Sequence, residues 1–303
     1  MEWEKKGLIF SPSGQYPWVM THGMLPVADQ INDDLFRIYF SGRDSSNRSK
    51  IGYVEVNIKE PEKILYLSKN PILDLGKLGS FDDNGVSPTW IVNHSNKKYL
   101  YYFGWNKGSS VRAAEVSGLA ISEDNGKTFR RHSKAPIIDR TNEEPYTILV
   151  ISCILLENGV WRMWYDSADE WQNVDLPKYN IKYAESSDGI DWVRKGIVSV
   201  DYTYPNESRV SRASIIKEND IYRMWHCYAI GSDGYQMGYA ESKDGIQFER
   251  MDEKVGISIS KSGWDSEMIC YPFVFKHKGQ TYMLYCGNGY GKTGFGYAVL
   301  RED

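Results

Sequence analysis

Three acidic residues, Asp83, Glu207 and Glu267, each stand just ahead of an apolar, strand-like run. Two carboxyl groups set across one bond can act as acid and base, provided burial or a neighbouring charge keeps one protonated. Glu267 lies between Trp264 and the apolar run 269–275, so burial there is expected to raise its pKa. Asp83 sits in Asp82-Asp83-Asn84-Gly85, which suits either a catalytic edge or a capped turn. Glu207 follows Asn206 and reads as a third acid or a solvated loop residue. Arg43, Arg209 and Arg212 offer bidentate cations for an anionic ligand, although a cation beside a carboxyl favours a base over an acid. His22, Asp44, Asp166, His226 and Asn288 add hydrogen-bonding groups, and Trp105 and Tyr271 add ring faces. His22 and His226 also allow a proton relay or a metal, but the chain has no HxH or HExxH spacing; a packed core ring is the alternative for His226.

These residues are far apart in the chain, so the fold must bring them together, and an internal repeat supplies the means. An aromatic strand recurs as Ile38-Tyr39-Phe40, Tyr101-Tyr102-Phe103, Met163-Trp164-Tyr165, Met224-Trp225-His226 and Met283-Leu284-Tyr285, roughly every 60 residues. A second strand follows each copy, as in Tyr183-Ala184-Glu185-Ser186 and Tyr239-Ala240-Glu241-Ser242. Three copies then turn through Asn125-Gly126, Asp188-Gly189 or Asp244-Gly245, which supply the positive φ that hairpins need. Helical periodicity is nearly absent. Each copy reads as a four-stranded antiparallel blade.

The expected architecture is therefore one all-β domain, 1–303, a five-bladed β-propeller with blades near 15–72, 80–140, 146–202, 207–260 and 265–303 plus 2–10. The N-terminal string Trp3-Glu4-Lys5-Lys6-Gly7-Leu8-Ile9 repeats Trp192-Val193-Arg194-Lys195-Gly196-Ile197-Val198, an outer strand. It is expected to complete the last blade and close the ring, which removes open sheet edges. Inner strands are expected near 23–29, 85–92, 149–156, 210–217 and 269–276. The residues before them, and the loops after the second strands, then share one mouth of a central channel. The turn at Ser122-Glu123-Asp124-Asn125-Gly126 lies on the opposite face and is expected to be structural.

Hydrophobic residues at 41% and aromatics at 14% suffice for such a core, and a formal charge of −4 argues against nucleic-acid or anionic-membrane partners. No run of 18 apolar residues occurs. Cys153, Cys227, Cys270 and Cys286 each lie in an apolar run, so buried free thiols and a cytoplasmic location are expected.

The repeat, together with Arg162-Met163-Trp164-Tyr165, Tyr239-Ala240-Glu241-Ser242-Lys243-Asp244-Gly245 and Trp264-Asp265-Ser266-Glu267, resembles the five-bladed propeller glycosidases: arabinanases, β-xylosidases, invertases, levansucrases and the related mannoside phosphorylases. The resemblance implies three carboxylates at the starts of inner strands, one a base or nucleophile, one tuning the acid, one a Glu general acid. Carried over, these fall on Asp83, Glu207 and Glu267, because Thr21-His22-Gly23 replaces the first-blade Asp of that group. His22, Arg43, Asp44, Trp105, Asp166, Arg209, Arg212, His226, Tyr271 and Asn288 are then expected to hold a small-molecule or oligosaccharide substrate, without metal or organic cofactor. Glycosyl transfer to or from an anionic or nucleotide-linked sugar, and non-catalytic glycan binding, are the alternatives.

Overall fold

The computed structural model describes residues 1–301; residues 302 and 303, the end of the expected fifth blade, lie outside them. Twenty strands account for nearly all regular structure. In chain order they are β1 (Trp3–Phe10), β2 (Thr21–Asn32), β3 (Leu35–Arg43), β4 (Ser49–Asn57), β5 (Ile64–Leu67), β6 (Gly85–His94), β7 (Lys97–Lys107), β8 (Ala113–Ser122), β9 (Arg130–Arg131), β10 (Ile148–Glu157), β11 (Val160–Asn173), β12 (Leu176–Ser186), β13 (Val193–Val200), β14 (Glu207–Glu218), β15 (Ile221–Ile230), β16 (Gln236–Ser242), β17 (Glu249–Arg250), β18 (Cys270–His277), β19 (Gln280–Cys286) and β20 (Phe295–Leu300). Helix is confined to a 3₁₀ turn at Asp252–Lys254 and one turn at Asn288–Gly291.

The strands pair antiparallel in successive groups: β2–β5, β6–β9, β10–β13, β14–β17, and β18–β20 with β1. In the last group Trp3 faces Leu300 and Lys5 faces Ala298, so the N-terminal strand forms the outer edge of the C-terminal sheet. Short parallel contacts tie one group to the next: Ser49 to Gly85, Glu115 and Val116 to Ile148 and Leu149, and Tyr179 to Arg209. All three lie at the end where second strands finish and third strands begin.

The second strands are buried on both sides. Tyr39, Phe40, Tyr101, Tyr102, Trp164, Tyr165, Trp225 and Tyr285 are all fully enclosed. Stacked neighbouring groups cover both faces, which is why these strands are continuously apolar rather than alternating. Polar ends of the aromatic side chains reach across the stack. The Tyr39 hydroxyl donates to Gly126 O, Tyr101 to Gly189 O and the Trp164 indole to Gly245 O, at 3.2, 2.8 and 3.0 Å. Those glycines hold φ near +75°, and a Cβ on Gly126 would meet the Tyr39 hydroxyl at 2.2 Å. The turns are braced by Ser122 with Asp124, Ser186 with Asp188 and Ser242 with Asp244.

A second repeated device pins four of the five groups near the inner strand. Asp82 accepts from Tyr102 and Arg131, Glu144 from Tyr165 and Arg194, and Asp265 from Tyr285 and Lys5. In the fourth group His226 replaces the tyrosine, and Arg250 joins Glu207 and Asp252 instead. In the second, third and fifth groups the device is a buried carboxylate shared by a second-strand tyrosine and a cation at or near the outer strand.

The four cysteines are free and buried. No helix among the described residues is long and apolar enough to cross a membrane.

Candidate functional site

Every inner strand breaks register with its neighbour: between Met24 and Val27, Pro88 and Trp90, Ile151 and Cys153, Ser211 and Ser214, and Cys270 and Phe273. In three of them the break holds a non-glycine residue in the left-handed region, Leu25, Arg212 and Tyr271, with φ of 53°, 59° and 58°. Each such residue costs about 1–3 kcal/mol and persists only where its surroundings enforce it. Here the enforcement is repeated. The freed N–H of each bulge donates to a side chain on the preceding group: Leu25 to Cys286 Sγ, Arg212 to Asp166 Oδ1 and Tyr271 to Cys227 Sγ, at 3.3, 3.1 and 3.1 Å. Cys227, Cys286 and Asp166 hold the same place in the repeat, directly after the aromatic strand core. His22 and Tyr290 are also left-handed, at 62° and 59°.

All five strained residues line one cavity of about 390 Å³ at the end where the parallel contacts lie. Its carboxyls are Asp166 and Glu115, and its cations are Arg43, Arg112, Arg209 and Arg212. Aromatic surface comes from Phe103, Trp105, Tyr179, Tyr235, Tyr271 and Tyr290. Tyr235 meets Tyr271 and Tyr290 edge-on at 5.7 and 5.8 Å, and its hydroxyl bonds that of Tyr179. Trp105 is fixed by its indole N–H on Ser49 Oγ at 2.9 Å.

The two carboxyls differ. Asp166 is buried; Ser152 and Ser211 each donate to it at 2.8 Å, and burial pushes its pKa up to about 6. Glu115 accepts no hydrogen bond and no ion pair among the described residues, and its half-buried side chain stands at the cavity wall. Burial raises its pKa, and Arg112 and Arg43 oppose the rise. His22 is pushed down to about 4 by burial and by Arg43, so its ring is neutral at pH 7.

Of the expected substrate-binding residues, the structure brings His22, Arg43, Trp105, Asp166, Arg209, Arg212 and Tyr271 to the cavity. It places three elsewhere. Asp44 is buried in its own loop, clamping Arg48 and the backbone of Ser46. His226 is enclosed and pushed down to about 3 by burial, a neutral core ring 3.4 Å from Asp252. Asn288 braces a loop, accepting from the N–H groups of Glu267 and Met268.

The three expected catalytic acids do not line this cavity. Asp83 accepts from Gly79 N and Asn106 Nδ2 and holds a turn. Glu207 belongs to the pinning device, bound by Arg250 and by the N–H groups of Thr203 and Tyr204. Glu267 is exposed, next to the pinning carboxylate Asp265. The acids that fasten the second to fifth groups are Asp82, Glu144, Glu207 and Asp265.

The residues missed are Glu115, Arg112, Tyr179 and Tyr235, with Ser49, Ser87 and Ser211. In an antiparallel meander the third strand starts where the second ends, so Ser49, Ala113 and Tyr179 had to share the same mouth. The repeat carried that information.

No family model matches the chain. Three-dimensional comparison finds a glycoside hydrolase at TM-score 0.75 and 16% identity, covering 99% of this chain and 92% of that one. A thermostable family-43 glycoside hydrolase follows at TM-score 0.69 and 15% identity, covering 93% and 91%. At such identities the likeness is one of fold, the nearly all-β propeller of glycoside hydrolases. Two uncharacterized proteins of Mycobacterium tuberculosis, from strains CDC 1551 / Oshkosh and ATCC 25618 / H37Rv, are each 42% identical over 303 residues and the full length of both partners. The chain belongs to the family of these two mycobacterial proteins.

Proposed function

We propose that the chain is a glycoside-active enzyme working in this cavity, with Glu115 as proton donor. One observation carries the reading: Glu115 is the cavity carboxyl left without a protein partner, and burial raises its pKa. A carboxyl whose pKa burial raises is a better proton donor to the leaving oxygen of a glycosidic bond than one held ionised by a cation. Asp166, ionised at pH 7, faces the positive charge that grows on the sugar ring. Trp105 and the tyrosines supply faces for its C–H surfaces. The architecture belongs to the same proposal: five blades, the last completed by β1, the ring closed where β2 packs against β18 and β19. Buried free thiols support a reducing, cytoplasmic setting.

The test is turnover of an aryl-glycoside panel. Glu115→Gln is expected to lose about 10²- to 10⁴-fold in kcat, the usual worth of a placed general acid. Turnover of the variant at the wild-type rate removes the assignment.

A further inference from the structure

We propose that the sugar is held through an oxyanion it carries, a carboxylate or a phosphate ester, and that Arg212 is the receptor for it. The inference rests on the reading of the cavity as a glycoside site and names the class of sugar.

Arg212 is 3% exposed and lines the cavity. None of its three guanidinium nitrogens has a hydrogen-bond partner among the described residues. Asp166, the carboxyl facing it, is committed to Ser152, Ser211 and the Arg212 backbone N–H. A guanidinium stays charged when buried, and Asp166 faces it as a charge without hydrogen-bonding it, so its donors stay unsatisfied, which is costly in a buried site. The residue also sits at φ 59°, on the bulge that turns its side chain inward. A planar, two-pronged donor of this kind matches carboxylate and phosphate oxygens in pairs.

The surroundings point the same way. Arg209 lines the same wall, anchored to Gly231 O and Asp233 O at 3.3 and 2.5 Å and laid over the Tyr235 ring at 5.2 Å, with its Nε unbonded. Arg43 is held by Asn47 and also keeps an unbonded Nε. His22 is neutral and adds no charge. Four arginines thus face two carboxyls, and neutral hydroxyls would leave that excess uncompensated.

The experiment is calorimetric titration of the full chain with glucuronate, glucose 6-phosphate, inorganic phosphate and glucose at matched ionic strength. At least one charged sugar is expected to bind at least about tenfold tighter than glucose, the scale of a charge-assisted pair. Arg212→Gln is expected to abolish that margin, Arg212→Lys to retain part of it, and Asp83→Asn to leave it within about twofold. Equal binding of charged and neutral sugars by the wild-type protein overturns the proposal without recourse to any variant. So does inorganic phosphate binding as tightly as the charged sugars, because the anion would then be free. Arg212-dependent binding of a charged sugar without turnover of any glycoside leaves this inference standing and removes the enzymatic reading. Turnover of neutral glycosides unaffected by Arg212→Gln does the reverse.

Discussion

Arg212 and Asp166 show at the level of single residues how this site is held at a cost to the free protein. A buried cation with unsatisfied donors in a left-handed backbone destabilises the empty fold. Arg212→Gln is therefore expected to be more stable than the wild type by about 1–2 kcal/mol, the usual gain when a site residue is relaxed, and denaturant unfolding measures it. Asp166 gives a signed pH dependence. Its folded pKa of about 6 lies above its ordinary 3.8, so the native state binds the extra proton. Its contribution is fully present below about pH 4 and is lost as pH rises through 6, about 3 kcal/mol in all. His22 and His226, pushed down to about 4 and 3, act oppositely and weaken the fold as pH falls below 6.5. The difference in unfolding free energy between wild type and Asp166→Asn isolates the aspartate, and it is expected to fall from pH 4 to pH 6.

At the level of the strand, the pinning carboxylates explain both what was legible in the sequence and what was not. The inner strands could be placed because aromatic cores and Asp-Gly turns repeat with the blade; expected runs such as 85–92 and 149–156 fall within β6 and β10. Acids at their starts were equally visible, but sequence does not say which way a carboxyl points. Asp82, Glu144, Glu207 and Asp265 turn to arginine, lysine and tyrosine of their own sheet, and their neighbours Asp83 and Glu267 lie on the surrounding loops. Glu115 is not legible in the sequence because it lies inside a strand whose neighbours, Ala113 to Ala120, read as ordinary wall. The pinning role has a measurable consequence. Arg194→Ala removes one of two cations on Glu144, bonded at 2.7 Å with Lys182 remaining at 3.6 Å, and is expected to cost about 1.5–3 kcal/mol. Glu267→Ala, at an exposed loop, is expected to stay within about 0.5 kcal/mol. Chemical denaturation of the two variants side by side checks the contrast.

For the molecule as a whole, the pairing of β1 with β20 joins the two ends of the chain. Trp3 is 5% exposed and meets Trp225 edge-on at 5.5 Å, in the group where no turn glycine receives the Trp225 indole. Trp3→Ala is expected to destabilise the protein by about 3–5 kcal/mol and to expose the edge of β20 to association, seen as a lower melting temperature and higher-order species in gel filtration. That junction holds β2 beside β18, and with them His22, Leu25 and Tyr271 on one wall. Sugar chemistry on that wall is what we propose. The most direct measurement is a crystal structure of Glu115→Gln soaked with a slowly turned-over charged glycoside. The account predicts the sugar in the cavity, its glycosidic oxygen within about 2.6–3.2 Å of residue 115 and its anion on the Arg212 guanidinium. A sugar bound instead on the loops of Asp83 or Glu267, with the cavity holding only solvent, would contradict it.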